Sequence, residues 1–137
     1  MEAGDTPVLV HNCGDGLKYV TYTKENPVTG EVYTGRTMGY GDDNAIVAAR
    51  DAGHHMTDKG FGPAVLDKSV YATKSYAERH GDISYQAIRG REQSMIDFFG
   101  GARSMGGVSG NAIQGVGDDN ALRSVYMNAA RRAFGWP

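Results

Sequence analysis

The chain has one cysteine, Cys13, in 137 residues, which excludes an internal disulfide and any zinc site built from several cysteines. It also lacks an apolar run long enough to span a bilayer. No basic-then-apolar leader opens it, so no membrane association is expected, and export would depend on a carrier outside these residues. Positive charge is not in excess: 14 Lys and Arg stand against 16 Asp and Glu, for a formal charge of −2. Such a balance gives no general attraction to polyphosphate, so anion binding would require arginines gathered around one cleft. Repeats and low-complexity tracts are absent. Glycine, by contrast, is abundant at 20 residues, which predicts many turns and few long uninterrupted elements. The length fits one compact domain.

Residues 18–24 and 31–37 are dense in β-branched and aromatic side chains and read as two strands. Between them, Asn26-Pro27 and Gly30 supply turn chemistry. A hairpin closed over residues 25–30 pairs Lys24 with Glu31 and sets Tyr22 opposite Tyr33, both rings on one face. Such a pair by itself only stabilises a hairpin. Asp42, Asp43 and Asn44 can cap a helix over residues 45–52, and Gly53 is a natural stop. Arg50 and His54 would share a helix face if the helix ran one turn further; otherwise His54 and His55 lie in a polar loop. Residues 61–73 hold a third strand or a helix, with Val65-Leu66 and Val70-Tyr71 as the apolar parts.

Residues 84–99 carry the most information. Ser84 can cap, and Tyr85, Ile88, Met95, Ile96 and Phe99 form an apolar stripe at helical spacing. Glu92 falls on that stripe. A core-facing carboxylate is costly unless it is ion-paired or bound to a metal. Arg89 and Arg91 are near enough in sequence to pair with it, or to line a phosphate-binding cleft. A Gly-rich loop over residues 100–110 leads to Asn111, an amide suited to holding a loop by side-chain hydrogen bonds. Asp118, Asp119 and Asn120 precede a last helix over residues 121–134, whose Arg123, Arg131 and Arg132 read as a charged solvated face.

The ordered series Tyr22, Tyr33, Arg50, His54, Glu92 and Asn111 resembles the active-site series of the GIY-YIG nucleases. Val20-Thr21-Tyr22 and Tyr33-Thr34-Gly35 stand where the two tripeptides of that family stand, with Tyr22, Tyr33 and Gly35 matching outright. The resemblance implies an α+β fold, a small mainly antiparallel three-stranded sheet flanked by helices. It also implies a metal-dependent endonuclease, most readily of DNA, with RNA as the alternative substrate. Glu92 would hold one Mg²⁺ or Mn²⁺, and Tyr22 with His54 would help deprotonate water. Tyr33 would position water or phosphate, Arg50 would neutralise the phosphate and Asn111 would order the site. Arg36, His55, Arg89, Arg91 and Arg103 are the expected substrate contacts. Residues 1–16, with Val8-Leu9-Val10 before His11-Asn12-Cys13, resemble the end of the Hint and pretoxin regions of large secreted bacterial toxins. Residues 17–137 would then be the toxin domain, delivered into a target-cell cytoplasm and restrained in its producer by a cognate immunity protein. Two alternatives stand beside this reading. Gly53-His54-His55 resembles the motif of a His-based toxin nuclease group, in which His serves as general base and metal ligand; that reading predicts that replacing both histidines kills activity and Tyr22→Phe does not. A non-catalytic interaction module would leave Tyr22 and Glu92 far apart.

Overall fold

The computed structural model describes residues 15–137. The junction expected over residues 1–16, including His11, Asn12 and Cys13, lies outside the described residues except for its last two positions. The fold is α+β: a three-stranded sheet in the order β2-β1-β3, both pairings antiparallel, with helices on its two faces. The strands are β1 (Lys18–Glu25), β2 (Val32–Gly39) and β3 (Val65–Tyr71), and the helices are α1 (Asp43–Asp51), α2 (Ile83–Phe98) and α3 (Arg123–Phe134). Of the two forms left open for residues 61–73, a strand and a helix, the strand is the one that occurs, over Val65–Tyr71. Among the described residues, no helix is long and apolar enough to cross a membrane.

Alternation along β1 divides the core. Val20 and Tyr22 pack with Ile46 and Val47 of α1 on one face. Leu17 and Tyr19 pack with Ala72, Tyr85 and Ile88 on the other, under α2. Helix α3 packs on α2 away from the sheet. A Cβ on Gly90 would lie 2.0 Å from the Tyr126 carbonyl oxygen, so the two helices meet backbone to backbone at a position only glycine can occupy.

Three local expectations are corrected. The hairpin closes two residues away from the expected register: Tyr22 pairs with Gly35 and Lys24 with Tyr33. Asn26 causes this, because its backbone N–H bonds the Glu31 carbonyl and its side chain accepts from Val28 and Thr29 N–H, which holds the loop to residues 26–31. A slip of two preserves the face, so both tyrosines still project on the α1 side. The cap of α2 is Asp82, not Ser84. Its buried carboxylate accepts from Ser84 N–H at 2.9 Å and also from the Thr73 and Lys74 backbone, tying the helix start to the end of β3. Helix α3 begins at Arg123, two residues later than expected, with Asn120 accepting from Leu122 N–H at 2.8 Å in the turn before it.

Candidate active site

β2 is an edge strand, and a cleft of about 410 Å³ wraps its free edge. Because β2 residues alternate, Tyr33 reaches the cleft from the α1 face while Arg36 reaches it from the α2 face. Glu92, His55, Arg103 and Asn111 complete the wall among the residues expected to act.

Tyr22 is placed behind the cleft. It is 0 % exposed, and its ring lies directly over Gly35: a Cβ there would come within 2.4 Å of the Tyr22 hydroxyl. The matched glycine thus makes room for the matched tyrosine across the strand pair. Tyr33 sits diagonally from Tyr22, with ring centroids 6.4 Å apart, and its ring lines the cleft. Burial raises the pKa of both phenols, and the neighbouring Arg50 cation opposes the shift in each.

Gly53, at φ 69°, ends α1 before the turn that would have carried His54. The expected shared helix face of Arg50 and His54 does not form. The chain instead folds back so that His54, 2 % exposed, places Nε2 2.8 Å from the Tyr22 hydroxyl. Met56 N–H donates to His54 Nδ1 at 3.0 Å. A ring nitrogen that accepts carries no proton, so neutral His54 holds its proton on Nε2 and donates it to Tyr22. Burial first, then the charges of Arg50 and His55, push the His54 pKa down to about 4. His54 is therefore neutral at pH 7 with its only lone pair occupied. Its two ring nitrogens are engaged by Tyr22 and Met56, and it is not among the residues that line the cleft. His55 stacks on His54 with centroids 4.6 Å apart, is exposed, and lines the cleft. Of the two imidazoles, only His55 can meet a substrate.

Glu92 projects from α2 with 13 % of its side chain exposed, and its Oε1 accepts from Arg36 Nε at 3.1 Å. Burial raises its pKa, opposed first by Arg36 and then by Arg89. Arg36 is thus its ion-pair partner in this structure, not Arg91. Arg91 makes a two-pronged pair with Asp67, Nε to Oδ2 at 2.8 Å and Nη2 to Oδ1 at 3.0 Å, and is buried away from the cleft. A bulge in β3 opposite Thr21 and Tyr22 turns Asp67 toward that guanidinium and toward the Thr21 hydroxyl. Arg91 is corrected from a substrate contact to a clamp between α2 and β3. Arg89 donates to the Gly115 carbonyl at 3.3 Å and lies over the Tyr126 ring at 5.0 Å. Arg103 pairs with Glu31 at 2.9 Å at the cleft rim.

Asn111 pairs its amide with the backbone of Thr34, accepting Thr34 N–H at 2.9 Å and donating to Thr34 O at 2.8 Å. Beside it, Gly110 N–H bonds the Val32 carbonyl. The side chain stands in for a fourth strand along the free edge of β2, at the residue between Tyr33 and Gly35. Its task here is the loop-holding one. Sequence reasoning missed Gln93, which is fully buried and accepts from Gly115 and Val116 N–H, so fixing the wall opposite Glu92. It also missed Lys24, buried against Asp51 and Thr57 beneath the histidine loop. Their partners are 22 to 33 residues distant, and no local pattern marks such pairs.

Tyr33 and Glu92 line the same cleft, and Tyr22 lies behind Tyr33 with its ring centroid 6.4 Å away. No group of three or more His, Cys, Asp or Glu side chains able to share a metal occurs among the described residues. Mg²⁺ needs no such cage, since it binds one or two carboxylates and fills its sphere with water and phosphate oxygen. A largely buried carboxylate at a cleft wall, with Oε2 accepting no hydrogen bond among the described residues, fits that requirement. No family model matches the chain, no curated protein is similar to it, and no solved structure matches its fold.

Proposed function

We propose that this chain is a metal-dependent nuclease of the GIY-YIG kind, hydrolysing phosphodiester bonds at the β2-edge cleft. The observation that carries the reading is the convergence of Tyr33, Glu92, Arg36 and Arg103 on one cleft, with the Tyr22–His54 pair behind it. In this proposal Glu92 holds one Mg²⁺ or Mn²⁺, which when bound supplies positive charge to the scissile phosphate and the leaving oxygen. Arg36, held in the cleft wall by its pair with Glu92, adds charge where the phosphorane develops, and Arg50, whose charge acts on Tyr33, adds to it. Tyr33 contacts water or phosphate, because its ring faces the cleft. The Met56 N–H holds the His54 tautomer, His54 donates to Tyr22, and the Tyr22 ring packs 6.4 Å from that of Tyr33. A buried pair thus backs the half-buried phenol that lines the cleft. His55 is the group placed to take a proton from the attacking water.

Delivery as a secreted toxin and inhibition by an immunity protein belong to the same reading, with DNA ahead of RNA as substrate. An arginine-lined cleft in an otherwise slightly acidic chain is matched by an acidic inhibitor. The test is incubation of the purified chain with plasmid DNA and with total RNA, in Mg²⁺ and in excess EDTA, alongside Glu92→Ala. Cutting that disappears in both EDTA and the variant supports the proposal. A folded Glu92→Ala protein that cuts at the wild-type rate sinks it. The His-based alternative predicts a different pattern: loss of cutting when His54 and His55 are replaced together, and full activity in Tyr22→Phe.

A further inference from the structure

On the α2 face, next to the cleft and sharing Arg36 with it, lies a second pocket of about 210 Å³. Tyr19, Tyr76 and Tyr85 line it. Tyr19 and Tyr85 meet edge to face with centroids 5.3 Å apart, and Tyr76, 43 % exposed, stands at the rim. Tyr19 itself is 2 % exposed, yet its hydroxyl has no hydrogen-bond partner. A buried hydroxyl without a partner is costly, so one carried by a ring that lines a pocket favours an occupant whose entry opens a bond to it. Three guanidiniums also surround the Tyr85 ring, those of Arg36 at 5.6 Å and of Arg79 and Arg89 at 5.9 Å. Among the described residues only Arg36 of these is ion-paired, to Glu92. The acid nearest Tyr19, Asp82, is occupied by the backbone of Thr73, Lys74 and Ser84. The pocket is therefore aromatic, has the Arg36 guanidinium in its wall with Arg79 and Arg89 around the Tyr85 ring, and carries on one lining ring a hydroxyl without a partner.

We infer that this pocket holds one unpaired base of a single-stranded nucleic acid, with Arg36 bridging it to the scissile phosphate in the cleft. The inference rests on the nuclease reading and names its substrate class. A flat ring fits between aromatic side chains, and a base edge carries the oxygen and nitrogen atoms that the Tyr19 hydroxyl lacks as partners. Only an unstacked, unpaired base exposes ring face and edge together, because a duplex buries the first by stacking and the second by pairing. The volume is smaller than the roughly 300–1,000 Å³ of pockets for drug-sized ligands, which suits a single ring system. The arginines beside it supply the counter-charge for the phosphate that any nucleotide brings.

The test measures binding of labelled oligonucleotides of one sequence, as single-stranded DNA, single-stranded RNA and blunt duplex DNA, to the full chain in EDTA so that no cutting intervenes. The proteins are wild type, Tyr76→Ala and Tyr19→Phe, each checked for an unchanged far-ultraviolet spectrum and melting transition. At least one single strand should bind about tenfold tighter than duplex. Tyr76→Ala should weaken that binding by about fivefold or more, as expected for loss of one stacked base. Tyr19→Phe, which removes only the hydroxyl, should weaken it about two- to tenfold. Equal affinity for single strand and duplex overturns the inference, as does wild-type single-strand binding by both variants. The outcome is separable from the nuclease reading. Metal-dependent cutting without these binding effects overturns the base pocket alone. Single-strand binding lost in Tyr76→Ala, from a protein that never cuts, supports the pocket and removes the nuclease.

Discussion

His54 shows how one buried side chain couples the fold to pH. Its folded pKa of about 4 lies below the ordinary histidine value of 6.5, so the unfolded chain binds the extra proton between those values and the folded chain does not. Stability therefore rises with pH through that window and is lost as pH falls from 6.5 toward 4. Between pH 7 and 4.5 the loss from this residue is about 2–3 kcal/mol. Urea unfolding at the two pH values should show wild type losing that much more than His54→Gln; equal losses would mean His54 is not neutral in the fold. Glu92 makes a second prediction of this kind. Burial raises its pKa and Arg36 opposes the rise, so metal-dependent cutting should fail on the acid side above the usual glutamate range. In Arg36→Ala the acid limb of the rate profile should move to higher pH, and an unmoved limb would disconnect Arg36 from the Glu92 charge. Arg36 and Glu92 are 56 residues apart. That distance is why the carboxylate's awkward position on the α2 stripe was legible in the sequence while its partner was not: the stripe is periodic within one helix, whereas the partner depends on how β2 packs across α2.

Among the elements, the edge of β2 is where structure and proposed chemistry meet most closely. Asn111 satisfies both the N–H and the carbonyl of Thr34 in a buried setting. Asn111→Ala should therefore destabilise the fold by about 2–4 kcal/mol, since it strands two backbone groups. Cutting should fall with it because Tyr33 sits on the same edge. Thermal or urea unfolding decides this, and a variant as stable as wild type would mean that water replaces the amide at no cost. β3 stood open between strand and helix, whereas the hairpin, α1 and α2 were legible from period and composition, because each is marked by its own neighbours. The register was not. Asn26 reshaped the loop, and only the two-residue size of the slip kept Tyr22 and Tyr33 on one face. The histidine loop was hidden for the opposite reason. Gly53 signalled the end of α1 clearly, but nothing local indicates that the chain then turns inward to place His54 under the tyrosines. Arg91 illustrates the same limit, since the β3 bulge that turns Asp67 toward it has no sequence mark of its own.

At the scale of the whole molecule, a net charge of −2 coexists with a cleft and side pocket rich in guanidinium. Binding to a single strand should then come from a few phosphate contacts rather than a general field. With about three contacts, the logarithm of affinity should fall with the logarithm of salt with a slope of about −2. A salt-independent affinity measured by anisotropy would argue against arginine contacts to phosphate. The sheet gives the site its two-sided form: the tyrosines and histidines approach from the α1 face, the carboxylate and Arg36 from the α2 face, and both meet at the strand edge. The central claim is that Glu92 carries the metal at that edge, and the most direct measurement is the initial cutting rate against Mg²⁺ concentration for wild type and Glu92→Gln. Saturable activation of wild type, with Glu92→Gln slower by about a hundredfold or more at every concentration, is the predicted result. A folded Glu92→Gln protein that follows the wild-type curve would contradict the account.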